Sequence, residues 1–214
     1  MKPSVLVVGL GRFGTAAALE LMALGHEVLA VDVDEGAVNE IAAEVTHAAQ
    51  LDATDEHALQ SVGAGDFEYA IVAISSVTDA SIFATMALKN LGVTTVIAKA
   101  ATKLHAAILE RIGADRVVYA EQEMGQRVAH SLSIPGVVEY LDVAPRFGII
   151  KIRTPAAWVG KSFKELDLAS RQLSPLALRR GEEVTVNPSR DIVLGATDQL
   201  ILLGRDERLE KIGR

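Results

Sequence analysis

The chain contains no cysteine. That excludes a disulfide framework, a thiolate zinc site and a cysteine nucleophile. Aromatic residues are scarce, at 4%, which leaves few platforms for stacking single-stranded bases. Positive charge is in deficit: 21 Lys and Arg stand against 28 Asp and Glu, a net charge of −7. The footprint of a nucleic-acid binder is basic, so nucleic acid is not an expected partner. Apolar runs are broken by charge or glycine well short of the roughly 20 residues a membrane helix needs. No stretch has the form of a signal peptide. A soluble cytoplasmic protein is the expectation. Half of the 214 residues are hydrophobic and 23% are charged, the balance of an ordinary globular chain able to bury about 70% of its unfolded surface.

Groups for catalysis are also missing. The region 137–214 has no histidine. His26, His47, His57, His105 and His130 all lie earlier and read as surface or turn residues. No two have the His-x-x-x-His spacing of a protease-type zinc site. Gly-x-Ser-x-Gly is absent, which argues against a nucleophile elbow. Gly160-Lys161-Ser162 looks like the end of a Walker A loop. Pro155 stands where that loop requires glycine, so the segment reads as a turn into a short helix at 163–166.

What is present is alternation. Short apolar, β-branched runs at 5–8, 28–33, 69–74, 95–98 and 116–119, with a weaker one at 45–49, alternate with helical patterns at 13–24, 35–43, 56–62, 80–91 and 103–112. In the helix at 80–91, Ala80, Phe83, Ala84, Ala87, Leu88 and Leu91 fall on one face, the pattern of an amphipathic helix. Strands that are apolar throughout belong to sheets covered on both sides. The pattern predicts an α/β fold, a Rossmann-type doubly wound parallel sheet over residues 1–120. The rhythm then changes. A helix is predicted at 121–132, with Met124, Val128, Ala129 and Leu132 on a narrow stripe suited to a dimer contact, and Ser133-Ile134-Pro135-Gly136 breaks it. Residues 137–214 read as a small C-terminal α+β domain, with strands at 137–143, 148–153, 176–179, 183–186 and 199–203 and a last helix at 206–212.

The first strand runs into Gly9-Leu10-Gly11-Arg12-Phe13-Gly14, and a helix follows. In this Gly-x-Gly-x-x-Gly loop the first glycine permits a tight turn, the second lets phosphate approach the backbone, and the third lets helix and sheet pack closely. The helix N-terminus then presents N–H groups to the anion. Asp32 ends the second strand about 20 residues on, where a carboxylate accepts from ribose hydroxyls and repels a 2′-phosphate. Arg12 is either a solvated arginine on the first helical turn or a cation aimed at a terminal phosphate.

With these residues the chain resembles the KtrA/TrkA family of potassium uptake regulatory subunits, the RCK or KTN domain proteins, with the KtrA type the nearer likeness. The stretches that carry it are Val8 to Gly14, Gly25 to Asp32, Phe67 to Ile74, Ile112 to Val118, Val159-Gly160-Lys161-Ser162, and Asp198 to Gly204. The resemblance implies domain limits of 1–120 for nucleotide binding, 121–136 for a crossover helix and hinge, and 137–214 for a C-terminal regulatory domain. It implies a non-enzymatic subunit, cytoplasmic at the inner face of the membrane, that binds ATP or ADP, or NAD(H). It implies a homodimer that builds an octameric ring under a KtrB/TrkH-like potassium channel subunit. By resemblance Arg12 reaches terminal phosphates, including across the dimer, and Asp32 holds the ribose. Asp52 and Ala53 lie beside the adenine. Lys99 and Glu121 lie near the phosphates, with Glu121 also a ligand of an associated divalent cation. Gly9, Gly11, Phe13 and Gly14 complete the site. Some members bind cyclic di-AMP in the C-terminal domain, which points here to the segment 171–188. Two other readings stay open: an NAD(H)-responsive redox sensor of the same transporter class, and a small NAD-dependent oxidoreductase. The second needs an acid–base residue facing the nicotinamide, and the sequence offers none.

Overall fold

The computed structural model describes residues 2–74 and 77–212. The chain forms two compact units, Met1–Ala120 and Glu121–Arg214.

The first unit alternates strand and helix: β1 (Val5–Val8), α1 (Arg12–Ala23), β2 (Val28–Asp32), α2 (Glu35–Ile41), β3 (His47–Gln50), α3 (Glu56–Ser61), β4 (Tyr69–Val72), α4 (Thr78–Asn90), β5 (Thr95–Lys99), α5 (Lys103–Arg111) and β6 (Arg116–Val118). The strands pair in parallel in the order β3-β2-β1-β4-β5-β6. This is the doubly wound order expected from the alternation, with its switch point between β1 and β4. Register is tight there: Val8 lies opposite both Val31 and Val72. The carboxyl ends of β1, β2 and β4 therefore open onto one edge. All four residues of β1 are buried, because each sheet face has its own core. Leu6, Val8, Leu29 and Val31 pack with Leu59, Leu88 and Leu109 of α3, α4 and α5. Val5, Val7, Val28 and Ala30 pack with Ala18, Val38 and Ile41 of α1 and α2.

Two expectations fail in this unit. Phe83 is 49% exposed, although the apolar spacing placed it on the buried face of α4. That face is Ser81, Ala84, Thr85, Ala87 and Leu88. Small side chains let the helix approach the sheet closely, and the Thr85 hydroxyl donates to the Ser81 carbonyl at 2.8 Å, so its burial leaves no unmade bond. His105 is not a surface or turn residue either. It is 2% exposed in the first turn of α5. Its Nδ1 accepts from the Ala101 N–H at 3.3 Å, while Nε2 has no partner among the described residues. Burial pushes its pKa down.

The second unit holds α6 (Ala120–Ser133, which starts at the last residue of the first unit), β7 (Val137–Ala144), β8 (Phe147–Arg153), α7 (Phe163–Leu166), β9 (Leu173–Arg180), β10 (Glu183–Val186), β11 (Gln199–Arg205) and α8 (Asp206–Leu209). Its strands form an antiparallel sheet in the order β10-β9-β11-β8-β7. One face is the core, where Ile150, Ile152, Leu200 and Leu202 meet Trp158, Phe163, Leu166 and Leu209. Gly148 is obligatory there, since a Cβ would lie 2.5 Å from the Tyr140 ring. β9 is longer than expected. Proline weakens a strand reading because it cannot donate to the ladder, yet Pro175 is carried inside β9 at a register shift between Ile201 and Leu202 of β11, the kind of irregularity that accommodates it. Gly160 turns with φ +80 and Ser162 caps α7 in a reciprocal capping box with Glu165, so the segment is the expected turn and not a phosphate loop. Asp198, 1% exposed, receives Arg180 Nε at 2.9 Å, Arg180 Nη2 at 2.7 Å and the Gly195 N–H at 2.8 Å. On α6, Met124, Val128 and Leu132 are 54%, 51% and 82% exposed.

Candidate nucleotide site

The three loop glycines do different work. Gly9 sits at φ +94, and a Cβ there would lie 3.0 Å from the Ile74 backbone nitrogen. At Gly14 a Cβ would lie 1.8 Å from the Gly9 carbonyl oxygen. The fold itself demands both. Gly11 is different. Its φ of −72 suits any residue, and a Cβ would meet nothing within 4 Å. Its lack of a side chain leaves open room in front of the backbone, where a phosphate would approach.

Gly11 is also the N-cap of α1, with no capping side chain and no acidic residue in the first turn. The first N–H groups of a helix have no acceptor within it, and the dipole favours an anion there.

Asp32 is tied to the same loop. Its Oδ2 accepts from the Leu10 N–H at 2.5 Å and its Oδ1 from the Asp34 N–H at 2.9 Å. Each oxygen keeps a lone pair for a further donor. The Leu51 N–H donates to the Asp32 carbonyl at 2.9 Å, which brings the segment of Asp52 and Ala53 beside the end of β2. Asp52 turns the chain through bonds from the Thr54 N–H at 2.9 Å and hydroxyl at 2.8 Å. These bonds, the backbone one first, hold its carboxyl below the usual carboxylate range. Ala53 is buried.

Arg12 opens α1, is exposed, and makes no side-chain hydrogen bond or ion pair among the described residues. Phe13, its neighbour, is half-buried. Lys99 ends β5, is 5% exposed, and sets its ammonium 5.6 Å from the centre of the Phe13 ring.

One unit thus gathers Gly9, Gly11, Arg12, Phe13, Gly14, Asp32, Asp52, Ala53 and Lys99 at the carboxyl edge of its sheet. Glu121 belongs to the other unit, in the first turn of α6. Among the described residues no group of three or more His, Asp or Glu could hold a metal ion. Sequence reasoning missed the Leu10 N–H, which fixes Asp32, and Ala73, whose N–H donates to the Val8 carbonyl at 2.7 Å and walls the loop. The signal was available for Ala73 alone: it follows β4 at the switch point. No helix among the described residues is long and apolar enough to cross a membrane.

The TrkA-N domain family matches residues 5–120, and the TrkA-C domain family matches residues 148–214. The chain belongs to the KtrA/TrkA family. It is 38% identical over 205 residues to Ktr system potassium uptake protein C of Bacillus subtilis (strain 168), covering 95% of this chain and 93% of that one. Ktr system potassium uptake protein A of the same organism is 35% identical over 206 residues, covering 96% and 93%. Among solved structures, the GsuK channel bound to NAD superposes with a TM-score of 0.68 at 18% identity, covering 98% of this chain. This chain spans 38% of that one, and at that identity the likeness shows the shared fold. The relatives are potassium uptake proteins, in agreement with the expectation that this chain is not an enzyme.

Proposed function

We propose that this protein is a nucleotide-sensing regulatory subunit of a Ktr-type potassium uptake system. The open room at Gly11 carries the reading. Two glycines of the loop are required by packing and the third is not, so its small size serves a ligand. Asp32 holds the ribose diol, and its carboxylate disfavours a 2′-phosphate. Arg12, exposed and without a side-chain partner among the described residues, meets the terminal phosphate of ATP, in its own subunit or in a dimer partner. Lys99 adds a second cation. By the family resemblance, Glu121 is proposed as a carboxylate ligand of a divalent cation.

The exposed stripe of Met124, Val128 and Leu132 supports a homodimer through α6, and dimers assemble into an octameric ring beneath a channel subunit at the cytoplasmic face of the membrane. ATP and ADP then favour different ring states. Such a shift requires different relative affinities for the two states. NAD(H) is the second reading, favoured by Asp32 and by the NAD-bound structure of the same fold. In the second unit, Arg179, Glu182 and Val184 of segment 171–188 line a cavity of about 600 Å³ with Arg127, Lys151 and Ile201. That room supports a further effector there, with cyclic di-AMP the candidate from the family resemblance.

Competition binding of ATP, ADP and NADH to the purified protein tests the reading. ATP and ADP binding tighter than NADH supports the first form; the reverse order supports the redox sensor. Arg12→Ala is expected to weaken ATP by about 10-fold and ADP much less, the loss of one charge-assisted contact. Equal losses remove Arg12 from the mechanism.

A further inference from the structure

A buried ammonium is costly unless something replaces its water. Lys99 is 5% exposed, and one of the groups that replaces water is the face of Phe13, 5.6 Å away. That lies within the range of about 6 Å over which a ring face attracts a cation. The ring is one of the partners of Lys99 and not the only one.

The topology explains why this pair forms. Lys99 ends β5, while Phe13 belongs to the helix that follows β1. β4 lies between those strands, and neighbouring strands are about 4.8 Å apart. The contact between the two side chains therefore bridges the carboxyl end of β4. That places the ammonium over the switch point between β1 and β4, the crevice where this fold takes its ligands. Phe13 has little freedom to follow anything else. Gly14, the next residue, is pinned against the Gly9 carbonyl, so the start of α1 is locked to the loop. The ring is a fixed stop on a rigid element.

We propose that Phe13 is a positioning residue whose ring holds the Lys99 ammonium over the crevice, aimed at the phosphates before they arrive. This deepens the nucleotide reading and rests on it. Phe13 then sets the phosphate-dependent part of the affinity through Lys99. The adenosine part is left to Asp32 and the segment at Asp52.

The test uses the full-length protein with ATP and adenosine as probes. Phe13→Leu keeps an apolar side chain and removes the ring face; Phe13→Tyr keeps the face. Phe13→Leu is expected to weaken ATP by about 3- to 30-fold, the equivalent of a desolvated cation–ring contact, and adenosine by no more than about 2-fold. Phe13→Tyr restores ATP binding. Lys99→Met loses at least as much ATP affinity as Phe13→Leu, and the double variant is no worse than Lys99→Met alone, because one interaction is being removed twice. Equal losses of ATP and adenosine in Phe13→Leu, or additive losses in the double variant, overturn the proposal. A measurement without nucleotide separates the two levels. The ring should shift the Lys99 ε-methylene resonance upfield in wild type, and Phe13→Leu should abolish that shift. If the shift is present but wild type binds no nucleotide, the function fails and the pairing stands. If the shift is absent, the pairing itself fails.

Discussion

Exchanging Gly11 or Gly14 for alanine adds the same methyl group to one loop, with opposite expected consequences. At Gly14 the new Cβ would sit 1.8 Å from the Gly9 carbonyl oxygen. Backbone must move, and overpacking of that kind costs about 3 kcal/mol or more. At Gly11 the Cβ meets nothing within 4 Å and φ is −72. The remaining cost is that of alanine at an N-cap, about 1 kcal/mol. Since about 1 kcal/mol moves a melting temperature by roughly 4 °C in a domain of this size, Gly14→Ala should lower the midpoint by about 10 °C or more and Gly11→Ala by about 4 °C or less. Binding should reverse the order of interest. A methyl on Gly11 pushes a phosphate off the free N–H groups of α1, and losing one or two charge-assisted bonds weakens binding by about 100-fold. Calorimetry of both variants, followed by ATP titration of Gly11→Ala below its midpoint, decides the matter. Wild-type affinity in a folded Gly11→Ala would refute the assignment of that open room to a ligand. A Gly11→Ala as unstable as Gly14→Ala would refute the packing distinction.

Two further predictions concern stability and pH. Asp198 is buried against Arg180, which is itself 54% exposed, so solvent screening limits the pair and Asp198→Asn should cost about 1–3 kcal/mol. Arg180 holds the Asp198 carboxyl below its ordinary value of 3.8; that contribution is complete above about pH 4 and is lost as pH falls through the lowered folded value, so Asp198→Asn should flatten the acid limb of a stability–pH curve for the second unit. Burial lowers the pKa of His105 from its ordinary 6.5, so the unfolded imidazole takes up a proton first. Stability of the first unit should therefore fall as pH drops below about 6.5, and His105→Gln should remove that slope in chemical denaturation between pH 7 and pH 5; an unchanged slope would mean His105 is not its source.

Much of this molecule was legible in its sequence because the signals were local. Val5 to Val8 is apolar at every position and proves buried at every position, and the loop announces its turn through glycine spacing. The failures share a different physics. Phe83 was assigned to the core because periodicity counts apolar side chains. The tight face of α4 instead selects small ones, Ser81 and Thr85 included, with the Thr85 hydroxyl satisfied by the Ser81 carbonyl. His105 was assigned outward because histidine is polar, but a first-turn position over the sheet left it no solvent. The Phe13–Lys99 contact joins residues from β5 and from the helix after β1; only the strand order brings them together, and no spacing along the chain encodes that order directly.

The distinction among the glycines also constrains how a nucleotide can be sensed. Gly9 and Gly14 fasten the two ends of the loop to each other and to the end of β4, so the backbone between them is a rigid cradle. A cradle that cannot deform presents the same N–H groups to ATP and to ADP. Discrimination between them must then come from side chains at its mouth. Of the residues held there, Lys99 is committed inward against Phe13, while Arg12 is exposed and unpaired among the described residues. On the proposed reading, Arg12 is the group left to respond to one phosphate more or less. Lys99, already aimed, would contribute to binding both nucleotides and less to telling them apart.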